Sequence, residues 1–377
     1  MPAHSKSELR VLWIVPEKTG GIRTYAEGLL RALREAGSVT IESRWDLPLE
    51  ALFQPQSNTR NLVHLHHEFG FFGSKLPGRY QFPRWIRAIK GKNPKTTWIA
   101  TAHNVIHHDY VFPLEGKEWW SIIPRILANT FLITALRKAW TSGTWGHFDG
   151  VVVHSRHQAE TIRKSGCEKV AVIPLFVPRA PHRPENEPGS NVTLFGYFSP
   201  DKGQDIAIEA WARMGPSAPK LVLAGGVRRK EDENYLAECR ALIRKHGLDA
   251  KIEITGYVPE EKLDALYREA RLVLTPFRVT TGSASITAAF ARGAPVLASD
   301  LPLNRELAER VPGCVDFFKT ESPEALAKEV LAIWGDSERI RKLRKNAIAY
   351  AEMHTPEKMA ALHLDFYRSF GDTRGAK

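Results

Sequence analysis

Glycine and small hydroxyl residues precede a predicted helix in the second half of the sequence. Thr281, Gly282 and Ser283 lie between an apolar strand predicted at 272–275 and a helix that opens near Ala284. The first backbone N–H groups of a helix have no partner within the helix, and the helix dipole places partial positive charge at that end. Such a helix start favours a bound phosphate. The pattern therefore predicts a binding site for a nucleotide diphosphate.

The elements around this loop alternate between strand and helix along the chain. Short apolar runs, each followed by an amphipathic segment, predict repeated βα units and hence parallel sheets with helices on both faces. Ligands of such sheets lie at the carboxyl ends of the strands. The predicted strands are 9–15, 62–65, 97–101, 150–154, 192–195, 221–224, 252–254, 272–275 and 295–298.

Residues 174–190 interrupt this alternation. The segment, PLFVPRAPHRPENEPGS, holds five prolines and is typical of a linker. At 377 residues the chain also exceeds the length at which one hydrophobic core usually keeps growing. We therefore expect an α/β fold of two doubly wound, Rossmann-like domains that face each other across a cleft.

Cysteine usage and hydropathy limit where the protein works. Cys167, Cys239 and Cys314 lie far apart, match no metal-ligand spacing and leave one thiol over in any disulfide scheme. The N-terminal residues lack the apolar run of a signal peptide, and no run of 18 apolar residues occurs. We expect a protein of the reducing cytosol, without a signal peptide or a membrane-spanning helix.

The net charge of +11 includes one strongly basic segment. Residues 69–108 contain seven Lys and Arg residues and no Asp or Glu. As a helix, the sequence PRWIRAIK within them has an apolar and a basic side, which suits an anionic membrane surface. The alternative is a solvated basic face whose apolar side lies in the core. The apolar side consists of Trp85, Ile86 and Ile89, and the basic side of Arg84, Arg87 and Lys90.

A second segment, residues 118–145, mixes bulky apolar residues with Arg125, Arg137 and Lys138. Both a buried pair of helices and contact with a membrane remain open for it. Nucleic acid is not an expected partner, because no helix-turn-helix, zinc-finger or RNP-like pattern occurs. The apolar residues of the segment are Trp119, Trp120, Ile122, Ile123, Phe131, Leu132 and Trp140.

Several motifs follow one another in a characteristic order. Gly20-Gly21-Ile22 precedes the first long helix, FGYFSPDKGQDIAIEAWARM surrounds Lys202, and LVLAGG ends at Gly226. TGYVPEEKLDALYREARLVLTPF and GAPVLASD follow. By these motifs the chain resembles, over nearly its whole length, the retaining, metal-independent glycosyltransferases of the GT-B fold, family 4 type (glycosyl transferases group 1). A nicotinamide-dependent oxidoreductase, which a doubly wound pattern alone would also allow, is disfavoured because the first turn lacks GxGxxG.

The resemblance implies an activity and a division of labour. A hexose would move, with retention, from a UDP- or GDP-linked sugar to a lipid-linked or polysaccharide acceptor in cell-surface or exopolysaccharide biosynthesis. The nucleotide sugar is a substrate, and neither a cofactor nor a metal is expected. Residues 1–175 would form the acceptor-side domain, 176–355 the nucleotide-sugar-binding domain, and 356–377 a helix that packs back on the first domain. The expected partners are the nucleotide sugar, a glycan or polyprenyl-linked acceptor and an anionic surface, on the inner face of the cytoplasmic membrane.

The resemblance also implies site residues. His103, at a predicted strand end, and Lys202, which would neutralise phosphate charge as the nucleotide leaves, are the expected catalytic residues. Of His66 and His67, which also lie at a strand end, at most one is expected to reach a ligand. The donor diphosphate is expected at Gly20, Gly21, Lys202, Arg278, Gly282, Ser283 and Ala284, the base and ribose at Gly226, Tyr257 and Val258, and the donor sugar at Thr280 and Thr281.

The sequence departs from the family pattern in two places. Where the family has two glutamates eight positions apart, which contact the donor sugar and the ribose, this chain has Thr280 and Ala288. The family's arginine shortly after a strand is replaced by Tyr197. These departures leave open a catalytically inactive GT-B relative that binds a nucleotide sugar or a partner protein. The arginines expected to replace the missing charge are Arg278, Arg228 and Arg229.

Overall fold

A computed structural model gives the fold as two compact units. One unit consists of Met1–Pro174 with Glu357–Lys377, and the other of Leu175–Pro356, limits that are adjacent to the predicted domain boundaries. In the part of the chain that the structure describes, none of the helices combines the length and apolar character of a membrane span. The described residues are 9–14, 20–37, 40–44, 60–72, 80–92, 94, 96–107, 110–112, 119–181, 189–228, 230–280 and 282–370.

A six-stranded sheet forms the centre of the first unit, as far as it is described. Its strands are β1 Leu9–Ile14, β2 Thr40–Arg44, β3 Arg60–His67, β4 Thr97–Ala102, β5 Gly150–Val153 and β6 Val170–Val172. They lie in the order β2-β1-β3-β4-β5-β6, and every neighbouring pair is parallel. Because β2 lies on one side of β1 and all later strands on the other, the order reverses between β1 and β3. Ligands of doubly wound sheets bind at the carboxyl ends of strands at such a reversal.

Helices cover this sheet and bury its apolar strands. They are α1 Gly21–Glu35, α2 Phe82–Lys92, α3 Trp119–Leu127, α4 Ile133–Trp140, α5 Ser142–Trp145 and α6 Arg156–Lys164. In α1, residues at helical spacing, among them Leu29 and Leu33, are buried against the sheet. β4 and β5 are buried along their whole length, as expected for parallel strands covered on both faces.

The second unit repeats this architecture. Its strands are β7 Asn191–Phe195, β8 Lys220–Ala224, β9 Ile252–Gly256, β10 Ala270–Thr275, β11 Val296–Ser299 and β12 Asp316–Phe318. They are parallel in the order β12-β11-β10-β7-β8-β9, so the order reverses between β7 and β10. The predicted fold of two doubly wound α/β units is therefore confirmed. The helices are α7 Gln204–Met214, α8 Glu233–Lys245, α9 Leu263–Glu269, α10 Ala284–Ala291, α11 Pro302–Arg310, α12 Pro323–Gly335, α13 Ser337–Met353 and α14 Pro356–Arg368.

The last helix, α14, contributes to the core of the first unit. The hydroxyl oxygen of Tyr367 lies 2.6 Å from Nδ1 of His64 on β3, and both side chains are buried. His363 is also fully buried, and its ring lies 6.0 Å from that of His64. Lys169 donates a hydrogen bond of 2.7 Å to the carbonyl of Ser369. The C-terminal helix is thus part of this unit's hydrophobic interior.

The basic helix α2 has its apolar side in the core. Ile86 and Ile89 are buried, and Trp85 is partly buried against the same cluster. Lys90 donates to the carbonyl of His147 at 2.7 Å and lies 3.3 Å from the carboxylate of Asp149. The idea that α2 offers its apolar residues to a membrane is therefore wrong, because those residues already pack inside the protein. The alternative, a solvated basic face, describes this helix.

The second apolar segment has the opposite character. α3 and α4 are joined by a π-helical turn at Ala128–Leu132. Ile133, Leu136 and Trp140 of α4 are buried, yet Ile123 and Phe131 of the same segment are exposed. Neither a fully buried helix pair nor a fully exposed segment describes it, since one side packs in the core and bulky apolar residues cover the other.

Candidate functional site

The turn that carries Lys202 lies at the strand-order reversal of the second unit. After β7 the chain forms a short 3₁₀ helix, Pro200–Lys202, which ends at Gly203. Gly203 has φ 67°, and a Cβ there would lie 2.1 Å from the carbonyl oxygen of Pro276, just after β10. Only glycine combines that backbone conformation with so close an approach. The sequence Lys-Gly therefore sets the lysine against the carboxyl end of β10.

Replacement of Gly203 tests this close approach. Gly203→Ala should lower the free energy of unfolding of the Leu175–Pro356 unit by at least about 2 kcal/mol, from left-handed strain and the clash with Pro276. Urea unfolding followed by far-UV circular dichroism measures this change. Gly247→Ala is the matched control, because Gly247 has φ 63° and nothing within 4 Å of its Cβ position. Equal losses in the two variants would contradict the packing of the Lys202 turn.

Among the described residues, Lys202 has no ion pair shorter than 3.6 Å. Its ammonium lies 4.1 Å from the ring centre of Phe277 and 3.6 Å from a carboxylate oxygen of Asp201. The side chain is 28% exposed. Desolvation lowers the pKa of Lys202, and Asp201 opposes this effect. A desolvated ammonium next to an aromatic face, with only a long contact to a carboxylate, is suited to accept an incoming anion.

Arg278 braces this turn. Its guanidinium donates to both carboxylate oxygens of Asp205, at 2.9 and 2.6 Å, and to Oε1 of Glu321 at 3.0 Å. It also donates to the carbonyl of Pro200 at 2.5 Å, so four of its five N–H groups are engaged. The hydrogen bond to Asp205 is the largest cause of the raised pKa of Arg278. The structure therefore shows Arg278 positioning the Lys202 turn, whereas a contact with the diphosphate was expected.

The start of α10 lies beside the same strands. Ser283 caps the helix by accepting a hydrogen bond from the backbone N–H of Ile286 at 3.2 Å, so its hydroxyl is used within the protein. Ser285 donates 2.9 Å to the carbonyl of Phe195, the last residue of β7. The N–H groups of the first turn, from Ala284 on, have no partner in the helix itself. Gly282, Ser283 and Ala284, where a phosphate was expected, thus lie close to the end of β7.

The two positions that lack the family's glutamates differ from each other. Ala288 is partly buried among apolar residues of the α10 side of the unit. The hydroxyl of Thr280 is buried and has no hydrogen-bond partner within the described residues. A buried polar atom without a partner is uncommon and often marks a ligand or water site. Thr281, expected to contact the donor sugar, lies outside the described residues.

Exposed aromatic residues stand at the ends of the neighbouring strands. A Cβ on Gly225, after β8, would lie 1.9 Å from the carbonyl oxygen of Gly196, after β7, which brings these two strand ends together. A Cβ on Gly226 would lie 3.4 Å from the backbone nitrogen of Tyr257, and Tyr257 is 70% exposed. Val258, the next residue, is partly exposed. Gly226, Tyr257 and Val258 therefore lie together, as the base and ribose assignment requires.

Candidates in the first unit lie at its own strand ends. Gly20 caps α1 with φ 144°, while a Cβ on Gly21 would meet nothing within 4 Å. Among the described residues, none therefore packs against that side of Gly21. Nε2 of His103, just after β4, lies 2.8 Å from Nδ1 of His66. Burial lowers the pKa of both imidazoles, which keeps them neutral, and His66 fixes the ring of His103.

Residues that sequence reasoning did not identify hold the site together. The hydroxyl of Tyr235 on α8 donates a hydrogen bond of 2.6 Å to the carboxylate of Asp205, which also accepts a hydrogen bond from Arg278. Glu321 has φ 60°, the single non-glycine residue with positive φ among those described. Asp205 lies in the first turn of α7, where a carboxylate is common, but the sequence does not indicate its partners because they come from distant elements. No group of three His, Cys, Asp or Glu residues in the described part of the chain is placed to hold a metal ion.

The lysine turn, the start of α10 and the ends of β7, β8 and β9 all belong to one stretch of sequence. Residues 181–352 match the family described as Glycosyl transferases group 1. The match contains Lys202, Arg278, Ser283 and Tyr257. The family match therefore covers the predicted diphosphate and base contacts of the second unit, whereas Gly20 and Gly21 lie outside it.

Relatives of known name match part of the chain. The human GDP-Man:Man(3)GlcNAc(2)-PP-Dol alpha-1,2-mannosyltransferase is 28% identical over 178 residues, which are 45% of this chain and 36% of the human protein. Mannosylfructose-phosphate synthase from Agrobacterium fabrum is 27% identical over 113 residues, 29% of this chain and 25% of that protein. The chain thus spans well under half the length of these relatives.

Solved structures match nearly the whole chain. Sucrose-phosphate synthase from Thermosynechococcus elongatus aligns with a TM-score of 0.65 at 18% identity, over 97% of this chain and 99% of the other. HepE from Anabaena, in complex with UDP, aligns with a TM-score of 0.64 at 15% identity, over 96% and 99% of the two chains. Likeness at this identity shows the fold, and the two parallel-sheet units have the GT-B fold.

Proposed function

We propose that the protein is a retaining, metal-independent hexosyltransferase that uses a nucleotide-diphosphate sugar. The observation that carries the proposal is the convergence of Lys202, the start of α10 and the end of β7 at the strand-order reversal of the second unit. These groups provide positive charge and the N–H donors of a helix start at the point where doubly wound sheets bind ligands. The match of this region to Glycosyl transferases group 1 supports the same assignment.

The chemistry assigned to this site is electrostatic. When the bond between the anomeric carbon and the diphosphate breaks, negative charge grows on the departing phosphate. Lys202 and the N–H groups at the start of α10 stabilise that charge, and Arg278 keeps the lysine turn in position. Hydrogen-bond donors that are fixed in place before the reaction stabilise the developing charge more than water does, because they need not reorganise as it develops.

Retention follows in this proposal from a front-face displacement. A double displacement needs a pair of carboxylates about 5 Å apart at the anomeric carbon. The carboxylates around the lysine turn are engaged by cations, since Asp201 lies 3.6 Å from Lys202 itself, and Asp205 and Glu321 accept hydrogen bonds from Arg278. The departing phosphate oxygen therefore takes the proton of the acceptor hydroxyl, while the acceptor oxygen bonds to the anomeric carbon on the same face. His103, neutral and fixed by His66, is assigned to the sugar side of the reaction.

The donor and the acceptor are proposed by class. HepE was crystallised with UDP, and the human relative is named for GDP-Man and a PP-Dol acceptor. We assign a UDP- or GDP-linked hexose as donor and a lipid-linked or polysaccharide acceptor, on the inner face of the cytoplasmic membrane. Thr280, with its buried hydroxyl, is placed at the donor sugar, and Tyr257 with Gly226 at the base.

The second candidate is an inactive GT-B relative that binds a nucleotide sugar or a partner protein. Thr280 and Ala288, in place of the family's glutamates, favour it. Neither residue can accept a charge-assisted hydrogen bond from a sugar hydroxyl or a ribose. Such a relative would bind a nucleotide sugar but would neither transfer nor hydrolyse it.

Thermal stabilisation against a panel of UDP, GDP and ADP sugars tests the proposal. One class of nucleotide sugar should raise stability by about 2.7 kcal/mol when present at one hundred times its dissociation constant. The stabilising donor is then incubated with the protein, and release of the free nucleoside diphosphate is measured. Binding with release supports the enzyme, and binding without release in the presence of glycan and polyprenyl acceptors supports the inactive relative. If no nucleotide sugar stabilises the protein, the enzyme proposal is wrong, and so is the second candidate in its nucleotide-sugar-binding form.

A further inference from the structure

The segment from α3 to α4 has a row of large apolar side chains on its outer side. We call this row the apolar ridge, and Phe131 and Ile123 are its most exposed members, at 75% and 61%. The spacing of the first residues, three and four positions apart, places them on one side of the helix. The π-helical turn at Ala128–Leu132 brings two further apolar residues to the surface, and such turns are frequent at functional sites. The ridge consists of Ile123, Ile126, Leu127, Phe131 and Leu132.

The opposite side of this segment fixes it to the first unit. Ile133, Leu136 and Trp140 are buried in the core. The side-chain amide of Asn129 makes two hydrogen bonds with the backbone of Phe112, accepting from its N–H at 2.8 Å and donating to its carbonyl at 3.0 Å. A surface helix ordinarily buries its apolar side and exposes a polar one. Here the segment is anchored and is apolar on its outer side as well.

Cations predominate in the segment. Residues 119–148 contain Arg125, Arg137 and Lys138 and no Asp or Glu, and Glu118 directly precedes them. Arg137 donates a hydrogen bond of 2.7 Å to the carbonyl of Tyr110, whereas the side chain of Lys138 is exposed. Apolar side chains accompanied by cations suit a surface that has an apolar interior and an anionic exterior.

We propose that the apolar ridge inserts among the lipids of an anionic membrane surface and that the exposed Lys138, which follows Phe131 by about two helical turns, contacts the lipid headgroups. The proposal rests on the proposed function, since a lipid-linked acceptor places the enzyme at a membrane. The proposal assigns membrane contact to the ridge and not to α2. The apolar side of α2 lies in the core, whereas the apolar side chains of the ridge are exposed to solvent. The bilayer interface accommodates a narrow row of side chains that penetrates only to the headgroup boundary.

A second copy of the chain fits the ridge less well. Five side chains of roughly 150–200 Å² each, about half exposed, offer on the order of 500 Å², below the roughly 800 Å² per partner of a standard interface. In a symmetric dimer the same patch meets itself, so the cations of both copies would also face each other. An anionic lipid surface attracts these cations, whereas the cations of a second copy would repel them.

Cosedimentation with vesicles tests the docking element. The full chain is mixed at low salt with vesicles of phosphatidylglycerol and phosphatidylcholine, and with vesicles of phosphatidylcholine alone. The wild type should bind the anionic vesicles, and Ile123→Ser/Leu127→Ser/Phe131→Ser should bind roughly tenfold or more weakly. The matched control replaces three exposed apolar residues elsewhere, Leu331→Ser/Met353→Ser/Leu362→Ser, and should bind like the wild type.

A labelled variant reports on insertion itself. The three native cysteines are buried, so a dye attached to Phe131→Cys reacts at one accessible thiol. Its emission should shift to shorter wavelength with anionic vesicles, while the same dye on Leu331→Cys should not shift. Stabilisation by nucleotide sugars should be unchanged in the triple serine variant, which separates failure of this proposal from failure of the proposed function.

Three outcomes would overturn the docking proposal. The first is that the wild type does not cosediment with anionic vesicles. The second is that the triple serine variant binds these vesicles as strongly as the wild type does. The third is dimerisation, seen by light scattering, that the triple variant abolishes while vesicle binding is absent, which would assign the ridge to a second copy. Circular dichroism and thermal melting of the triple variant must match the wild type, and the labelled protein repeats the test without the serine changes.

Discussion

Lys202→Ala should lower kcat/KM by about a hundredfold or more with the donor that stabilises the protein. The ammonium is desolvated and lies 4.1 Å from the ring centre of Phe277, at the proposed position of the leaving diphosphate. A methyl group in its place leaves the charge on the diphosphate to the helix N–H groups alone. Steady-state release of the nucleoside diphosphate, measured at several donor concentrations, gives kcat and KM separately.

The control for this variant is another lysine of the same unit. Lys220 on β8 is about half exposed and pairs with Glu253 at 2.6 Å, away from the proposed site, so Lys220→Ala should keep the wild-type kcat/KM. The thermal midpoint of Lys202→Ala should stay close to that of the wild type, since the ammonium makes no close ion pair. Near-wild-type turnover in Lys202→Ala would remove the lysine from the catalytic assignment and, with it, the main support for the electrostatic mechanism.

The central strands of both sheets could be predicted from the sequence because they are buried on both faces. Apolar runs predicted strands at 62–65, 97–101 and 221–224, and each lies within a strand of the structure. Three strands were missed, and all of them are edge strands: β2 pairs with β1 alone, β6 with β5 and β12 with β11. An edge strand is paired on one side and partly solvated, so a short or polar sequence such as TIESR is sufficient and leaves no apolar signal.

The site was predictable where one residue decides its own geometry. Gly203 must be glycine because of its φ and its contact with Pro276, so the Lys-Gly pair located the turn correctly. Arg278 has no such local signal. Its partners, Asp205 and Glu321, come from α7 and from the segment after β12, and only the fold brings them together. Sequence spacing therefore identified a cation near the site but not the group that it binds.

The two amphipathic segments show the same limit for the surface. Both α2 and the segment from α3 to α4 combine apolar residues with cations, and their periodicity is similar. Which side faces the core depends on the neighbouring helices, and a helical pattern alone does not contain that information. In α2 the core takes the apolar side, with Ile86 and Ile89, whereas the ridge residues Ile123 and Phe131 remain outside.

Mild acid should destabilise the first unit, because it buries an unusual group of imidazoles. Burial, the largest cause in each case, holds the pKa of His64, His66 and His103 well below the ordinary value, with further lowering by neighbouring imidazoles. Burial also lowers the pKa of His67 to about 3 and that of His363 to about 4. The neutral forms of all five are therefore favoured in the folded state. Protonation of any of them in place would leave an uncompensated charge in an apolar interior.

The sign of the effect follows from proton counting. An unfolded histidine titrates near 6.5, so below that pH the unfolded chain holds more protons than the folded one. Stability is then complete above about pH 6.5 and is lost as the pH falls toward the folded pKa values. Each group that stays neutral in the fold contributes up to about 1.4 kcal/mol per pH unit below that point, and a typical fold has roughly 5–15 kcal/mol of stability in total. We expect the unit to lose stability steeply as the pH falls below about 6.5.

Urea unfolding at pH 7.5, 6.5 and 5.5, at constant ionic strength, measures this loss. Tryptophan fluorescence reports mainly on the first unit, since Trp13, Trp98, Trp140 and Trp145 are buried there. His363→Gln is the informative variant: it removes one titrating group, so the slope of stability against pH should fall by about 1.4 kcal/mol per unit, one proton fewer. A stability that stays constant from pH 7.5 to 5.5 would mean that these imidazoles titrate normally in the folded protein. The buried contacts of His64 with Tyr367 and Thr101, at 2.6 and 2.7 Å, would then have to be open to water.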